Sequence, residues 1–308
     1  MTDDTTPQPR SSLPAGPWRM GWRRLTSNRL ALAALGFLGV LILSAFLAPL
    51  IAPCRYDEQF RGAEIEPPLA RAILESAEAA QTTHLFLLGS DHHARDAFAR
   101  MLYGARVSLL VGVLATLVSL ALGGTVGLLS GYFGGWMDSV LMRLTDTVFA
   151  FPSVLLAVAI TAVFDRPSLG VVFLALGLVG WTSLARVVRS QVLVVKEADY
   201  IVAARALGLG HLRIVLWHVL PNCLGPLVVV ATLSVGGNIL GEAGLSFLGL
   251  GVQEPYPSWG GMLAEATDHY VEAWWLGLFP GLAIVGTVLA FNLFGDGLRD
   301  ALDPRSAK

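Results

Sequence analysis

The chain has 308 residues, of which 54% are hydrophobic and only 14% are charged. An ordinary soluble domain carries about 25% charged residues, so this composition excludes that class and indicates a protein that crosses a membrane several times. The formal net charge of -2 gives no reason to expect a nucleic-acid partner, and the distribution of charge along the chain is more informative than its sum.

Residues 1–29 are predicted to form a cytoplasmic tail and an interfacial anchor. Residues 1–16 are rich in Pro, Ser, Thr and Gln, which is typical of a disordered tail. Trp18 and Trp22 then lie among arginines directly before an apolar block, as anchors at a membrane–water interface do. That block, residues 30–52, is long enough to be the first transmembrane helix. A cleavable signal peptide is the alternative, which the long basic lead and the lack of a clear cleavage site disfavour.

Residues 53–102 are polar and mixed, and they are predicted to form one large extracytoplasmic loop. Near its end the sequence Asp91-His92-His93-Ala94-Arg95-Asp96 places two histidines between acids, a donor set that suits a metal ion. Adjacent side chains diverge on a helix, however, so at most a subset would share one ion. The favoured interpretation is a polar loop that leads into the second span.

Residues 103–308 are predicted to form a five-helix core domain, because five further apolar blocks of spanning length lie there. The blocks are residues 107–133, 144–164, 169–188, 224–250 and 275–294. Small residues let helices approach closely in a membrane, and glycines recur at every fourth position of the first block. These are Gly123, Gly127, Gly131 and Gly135. The sequence therefore predicts an all-α polytopic membrane protein with six transmembrane helices.

Lys and Arg residues orient these helices. With the N-terminus inside, 14 of the 21 Lys and Arg residues lie on the cytoplasmic side and 7 on the other. Cytoplasmic loops carry the excess of positive charge, so both termini are predicted to be cytoplasmic. The same topology puts Cys54 and Cys223 on opposite sides of the membrane, which excludes a disulfide between them.

A polar stretch at residues 197–222 separates two of the apolar blocks. Residues 199–207 and 211–220 both favour helix, Gly208 suits the end of the first and Pro221 the end of the second. The sequence thus predicts a two-helix elbow with a tight glycine corner at the cytoplasmic membrane surface. Such an elbow suits docking against another protein better than contact with lipid.

Three carboxylates, Asp146, Glu242 and Asp296, lie within or beside the predicted spans. Ionisable groups are costly in a membrane and are therefore functional candidates. For Asp146 and Asp296, capping or an ion pair with Arg143 or Arg299 is favoured over transport chemistry. Glu242, one turn from Asn238, is deeper. It could line a pathway or bind backbone groups, and both interpretations stay open.

Several motifs of enzymes are missing from the sequence. It contains no phosphate-binding G-x-x-x-x-G-K-[ST] loop, no H-E-x-x-H zinc pair and no G-x-S-x-G nucleophile elbow. We therefore expect no catalytic residue, no metal ligand and no cofactor on this chain.

Residues 197–222 resemble the cytoplasmic signature of a known transporter family, the membrane-spanning permeases of binding-protein-dependent ABC importers. That signature runs E-A-A, three residues, G, nine residues, I-x-L-P. Here valine replaces the glutamate at position 202, and histidine replaces the isoleucine at position 218. The matching positions are Ala203, Ala204, Gly208, Leu220 and Pro221.

Other segments resemble the dipeptide, oligopeptide and nickel branch of the same family. They are residues 89–96, 131–146, 150–160, 241–263 and 291–304. The single span and sizeable loop before the core are similar to the C-type subunit of that branch. The resemblance implies a type I ABC importer permease fold. It also implies that the protein lies in the bacterial cytoplasmic (inner) membrane.

The resemblance also implies the partners: a B-type second permease, two ATPase subunits and an extracytoplasmic substrate-binding protein, with membrane lipid around the spans. ATP and Mg would bind to the ATPase, and the elbow would act as the coupling helices that dock on it. The expected substrates are di- or oligopeptides or related solutes. The residues expected to couple to the ATPase are Ala203, Ala204, Arg205, Gly208, Arg213, Leu220 and Pro221.

An ion-coupled secondary transporter is the alternative function. Such a protein is expected to have two related halves with interrupted helices. No convincing internal repeat is present, and five core spans do not divide into equal halves.

Overall fold

The computed structural model describes residues 23–75, 81–165 and 167–302. The predicted tail with Trp18 and Trp22 lies outside the described residues. The described helices are α1 (Arg29–Phe46), α2 (Ala48–Ile51), α3 (Ala97–Phe133), α4 (Gly135–Phe149), α5 (Ser153–Thr161), α6 (Leu169–Val195), α7 (Asp199–Ala206), α8 (His211–Ile214), α9 (Leu220–Phe247), α10 (Trp259–Glu265) and α11 (Trp274–Leu302). A π-helical turn, Val215–Val219, joins α8 to α9, and a 3₁₀ turn, Ala266–Asp268, follows α10.

Five of these helices, with α8 and α9 taken as one, are long and apolar enough to cross a membrane, and the bent pair α4–α5 gives a sixth if it forms one span. The prediction of six spans is confirmed in this sense. The pair bends by 82° where a single span at 144–164 was expected. Pro152 explains the break, because proline lacks an amide donor and forces the residue before it, Phe151, out of helical geometry.

The loop between α2 and α3 contains a small antiparallel hairpin that the sequence did not predict. Its strands are β1 (Ala70–Glu75) and β2 (Gln81–Phe86), paired so that Ala70 faces Phe86. The loop is also shorter than the predicted residues 53–102, because α3 begins at Ala97. Asp96 caps that helix, since its carboxylate accepts a hydrogen bond from the amide of Ala99.

The glycine ridge on α3 packs against α6, as its spacing predicted. A Cβ atom on Gly127 would lie 2.5 Å from the carbonyl oxygen of Ala185 and 2.7 Å from the Cβ of Val188. Gly123 and Gly131 face the same helix. Gly135 is not part of this ridge, because it begins α4 with a φ of 56°.

Pro221 does not end the second elbow helix, and that prediction is wrong. The chain runs from α8 through the π-helical turn into α9, with the amide of Leu220 donating to the carbonyl of Val215 five residues earlier. Pro221 lies just after the π-helical turn, inside a helix that continues from α8 into α9. The elbow is therefore continuous with a membrane span.

Candidate functional site

The centre of the elbow (residues 197–222) is a compact corner formed by α7, α8 and the glycine turn between them. The amide of Gly208 donates to the carbonyl of Arg205 at 2.9 Å, and the amide of Leu209 donates to the carbonyl of Ala204 at 3.2 Å. This pair of bonds is a Schellman motif. It requires the left-handed φ of 78° that Gly208 adopts, and glycine adopts that conformation at little cost.

The end of α3 holds the elbow in place. The Tyr132 hydroxyl shares a hydrogen bond of 3.0 Å with Nδ1 of His211, and the Arg205 guanidinium lies 5.3 Å from the Tyr132 ring centroid. The Lys196 ammonium donates to the carbonyl of Gly131 at 2.9 Å. These contacts join the elbow to the C-terminal end of α3.

The inner face of the elbow belongs to the hydrophobic core. Its buried members pack with buried residues of α3, α6 and α9 in one cluster. The cluster contains Tyr132, Val188, Val192, Ile201, Ala204, Ile214, Val219, Cys223 and Leu227. The elbow is a continuation of the folded core.

The structure divides the sequence-predicted elbow residues between two faces. Ala204 is only 7% exposed, because the helical period places it beside Ile201 on the inner face. It packs against the spans and is not available as the surface contact that the sequence suggested. Leu220 is half-buried. The exposed members are Ala203, Arg205, Gly208, Arg213 and Pro221.

The outer face of the elbow carries large apolar side chains in addition to those residues. Leu207 is 80% exposed, Leu212 is 73% exposed and Trp217 is 74% exposed. Trp217 also lines a shallow open pocket of about 560 Å³ together with Arg213. Exposed apolar patches mark contacts with another protein or with the membrane, and tryptophan and arginine are enriched in contacts with another protein.

Ion pairs fix the bent pair α4–α5 to α6 near the elbow. The carboxylate of Asp138 accepts two hydrogen bonds of 2.6 Å from the Arg189 guanidinium. Asp146 pairs with Arg186 at 2.8 Å, and not with Arg143 as the sequence suggested. The Arg186 guanidinium also lies 3.9 Å from the Phe149 ring, which holds it next to Asp146.

Glu242 is completely buried inside the helix bundle. Its carboxylate accepts hydrogen bonds from the hydroxyls of Ser246 at 2.7 Å and Ser108 at 3.3 Å. The Ser108 hydroxyl in turn accepts a hydrogen bond from the Trp259 amide at 3.2 Å. The carboxylate thus ties α9 to α3 and α10, which favours the structural interpretation of Glu242 over a pathway-lining one.

Asn238 lies one turn before Glu242 and makes a separate contact with α3. Its side-chain amide donates to the Thr116 hydroxyl at 2.9 Å. Asn238 is half-buried and does not share partners with Glu242. Both residues therefore link α9 to α3, at different depths.

At the opposite end of α3, the motif at residues 91–96 forms a buried ion-pair cluster. Arg95 donates to Asp91 at 2.6 Å, to Glu254 at 2.7 Å and to Glu265 at 3.2 Å. Arg100 donates to Glu265 at 2.8 Å. The cluster joins the loop to α10 and to the segment before it, which confirms a structural polar loop at this position.

Burial and charge act against each other on the two glutamates of this cluster. Burial raises the pKa of Glu265 above its usual value, and the charges of Arg100 and Arg95 oppose that rise. For Glu254, burial acts to raise the pKa, but the hydrogen bond and charge of Arg95 outweigh it and lower the pKa. The more exposed carboxylate is therefore the more acidic one.

The two histidines of the motif lie side by side and are not among the metal-type donors that converge in the described part of the chain. Their rings contact each other at 3.9 Å, and burial followed by the charge of His93 lowers the pKa of His92. Among the described residues, the metal-type donors that converge are Cys54, His84 and Asp96. Burial, with the charges of Asp96 and Glu58, raises the pKa of the Cys54 thiol to about 12.

Two family comparisons match most of the chain. Residues 123–308 match the family described as binding-protein-dependent transport system inner membrane component. Residues 16–68 match the N-terminal transmembrane domain of oligopeptide transport permease C. This chain belongs to the inner-membrane permease family of binding-protein-dependent transport systems. The resemblance seen in its sequence is confirmed.

Individual relatives match the permease from end to end. It is 42% identical over 306 residues to the dipeptide transport system permease protein DppC of Alkalihalophilus pseudofirmus, covering 97% of this chain and 96% of the relative. It is 44% identical over 289 residues to the di/tripeptide permease DppC of Pseudomonas aeruginosa, covering 94% and 92%. It is 41% identical over 301 residues to the glutathione permease GsiD of Pectobacterium atrosepticum, covering 98% and 95%.

A solved structure supports the fold of the permease. The inward-facing MetNI methionine ABC transporter matches with a TM-score of 0.54 over 66% of this chain and 96% of that chain. The identity is 19%, so this match concerns the fold alone. The expected ABC importer permease fold is confirmed.

Sequence reasoning missed the apolar outer face of the permease's elbow. In a chain rich in leucine and valine, Leu207, Leu212 and Trp217 are not distinguished by composition from residues that face lipid. A helical projection of α7 would have placed Ala204 beside Ile201 on the inner face, and that signal was present in the sequence.

Proposed function

We propose that this permease is the membrane-spanning subunit of an ATP-driven importer that translocates peptides or related solutes delivered by a soluble binding protein. The relatives that cover more than nine tenths of both chains are named for dipeptide, di/tripeptide and glutathione transport. Their names support peptides as the substrate class, with the choice among peptides made by the binding protein.

The observation that carries this proposal is the elbow, a polar corner with an apolar outer face that is built into the core. Its inner face is buried against α3, α6 and α9, and its outer face exposes Leu207, Leu212 and Trp217. Burying one such side chain against a partner contributes about 1.5–3 kcal/mol. In this proposal the outer face docks on an ATPase subunit, and Arg205 and Arg213 pair with acidic residues there.

The ATPase would supply the energy for transport, and ATP and Mg²⁺ would bind to it. ATP-driven closure of two ATPase subunits would move the elbow, and the contacts of Tyr132 and Lys196 would pass that movement to α3. A rigid-body movement of this kind alternates access between the two sides of the membrane. The permease itself carries out no hydrolysis in this scheme.

A second permease of the B type and an extracytoplasmic binding protein complete the proposed complex. Both termini and the elbow would lie in the cytoplasm, as the excess of Lys and Arg predicts. A cysteine introduced at the exposed Leu207, in a Cys54→Ser background that removes the native extracytoplasmic thiol, should then react with a membrane-impermeant maleimide only after the membrane is opened. Reaction in intact cells would contradict this orientation.

Co-purification tests the docking surface. The permease, expressed with its partner subunits, should retain the ATPase on a column, and Trp217→Ala should release most of it. Trp274→Ala is the matched control, because Trp274 is an exposed tryptophan near the start of α11, away from the elbow. Equal ATPase retention by both variants would contradict docking at the elbow.

A further inference from the structure

Three metal-type side chains converge beside the hairpin, at the end of α3 far from the elbow. They are Cys54 after the first span, His84 on β2 and Asp96 at the start of α3. Their sulfur, nitrogen and oxygen donor atoms all lie within 4.8 Å of one another. Because the three residues are far apart in the sequence, no spacing motif predicts that they lie together.

The surroundings of His84 and Asp96 orient both donors. The His84 ring stacks on Phe60 at a centroid distance of 4.2 Å and meets Phe86 edge-on at 4.7 Å. One oxygen of Asp96 accepts the Ala99 amide at 2.8 Å, which leaves the other oxygen to contact Nε2 of His84 at 2.9 Å. Outer hydrogen bonds of this kind hold metal-ligating carboxylates in place.

We propose that Cys54, His84 and Asp96 bind one divalent cation of the zinc type, which clamps the chain after the first span and the hairpin to the start of α3. One thiolate, one imidazole and one carboxylate suit Zn²⁺, which accepts all three donor types. This site departs from the expectation that the chain carries no metal ligand.

The distances are close to those that zinc needs. Zinc bonds of about 2.0–2.3 Å in tetrahedral geometry separate the donor atoms by about 3.3–3.7 Å. The Asp96–His84 pair must open by less than 1 Å from its hydrogen-bonded 2.9 Å as the ion replaces the shared proton. The thiol must approach from its place within the 4.8 Å group. Cys54 and His84 are both partly exposed, so an ion can enter.

The charge balance also favours a cation. The Asp96 side chain is completely buried, and within the described part of the chain its carboxylate contacts His84 and the amide of Ala99. The carboxylate of Glu58 lies close enough to act on the Cys54 thiol electrostatically. Among the described residues, no arginine or lysine forms an ion pair with Asp96, so a bound dication would supply the compensating charge.

Cobalt and zinc binding to the full-length chain, purified without a polyhistidine tag, tests the proposal. One equivalent of Co²⁺ should produce a thiolate-to-cobalt absorption band that Zn²⁺ abolishes. Cys54→Ser and His84→Gln should each weaken binding by at least the roughly 10–100-fold that loss of an outer partner costs. Cys223→Ser is the matched control, since Cys223 is buried in α9, and it should leave the band unchanged.

A second measurement uses the unaltered protein and does not depend on the folding of a variant. Zn²⁺ should protect Cys54 from alkylation by a maleimide, with the modified residue identified by mass spectrometry. The absence of a thiolate band together with unchanged Cys54 alkylation in Zn²⁺ would overturn the proposal. Binding that survives in Cys54→Ser at full affinity would overturn it as well.

Discussion

Replacing Gly208 separates the folding of the elbow from its docking. Gly208 is exposed, and a Cβ atom at this position would meet no atom of the permease within 4 Å, so a side chain here causes no clash within the chain. The cost inside the chain is therefore that of the left-handed backbone, about 1–2 kcal/mol for an ordinary residue and less for Asn or Asp. The side chain itself would point to the exposed outer face.

Three substitutions of Gly208 distinguish backbone strain from impaired docking, because the two causes predict different orders of damage to transport. If backbone strain dominates, Gly208→Ala should be the most damaging, because alanine tolerates the φ of 78° less well than Asn or Asp does. If docking dominates, Gly208→Asp should be the most damaging, because it adds bulk and a negative charge to the contact. Gly208→Asn is the matched control of equal size without the charge.

We expect the docking order. All three variants should reach the membrane and unfold at similar temperatures, while substrate-stimulated ATP hydrolysis and uptake fall from Ala through Asn to Asp. The assay is uptake and ATP hydrolysis by the purified complex in proteoliposomes. Full uptake and full stimulated hydrolysis by Gly208→Asp would refute the coupling role of the elbow.

Substitutions at four further positions test how the helices pack against one another and against the elbow. Gly127→Ala should lower the thermal stability of the permease, because its new Cβ would lie 2.5 Å from a carbonyl oxygen of α6. Gly124→Ala, whose new Cβ would meet no atom within 4 Å, should leave stability unchanged or raise it by up to about 1 kcal/mol. Glu242→Ala should cost about 1–3 kcal/mol, because it leaves buried serine hydroxyls without an acceptor, whereas Glu242→Gln should retain assembly and most stability. Tyr132→Phe removes the hydrogen bond to His211 and should speed hydrogen exchange in residues 199–214.

Each of these has a contradicting result. Equal melting temperatures for Gly127→Ala and Gly124→Ala would mean that α3 and α6 do not pack through the glycine ridge. Normal stability of Glu242→Ala with lost uptake would return Glu242 to the transport pathway. Unchanged exchange in Tyr132→Phe would remove α3 as the support of the elbow.

The sequence predicted the spans, the elbow and the family because these depend on local signals. Apolar length locates a span, and the glycine at position 208 marks a corner that only a left-handed residue can make. The spacing between Ala203 and Pro221 then links the elbow to a family. Each of these signals is complete within a short stretch of chain.

The parts that failed depend on contacts between distant segments. Local sequence predicts a helix end at Pro221, whereas a π-helical turn carries the helix past it. Local sequence also suggests that Asp146 pairs with Arg143 on its own helix, whereas its partner Arg186 lies on α6. The convergence of Arg95 with Glu254 and Glu265 likewise follows only from the packing of the loops. Local sequence does not contain that information.

Uptake by proteoliposomes tests the central proposal most directly. Vesicles that contain this permease, its partner permease and the ATPase subunits, with the binding protein outside and ATP inside, should accumulate a labelled dipeptide. Omitting the ATP, the ATPase or the binding protein should abolish accumulation. Accumulation by the permease alone, driven by an ion gradient without ATP, would contradict the proposal and establish the secondary-transporter alternative.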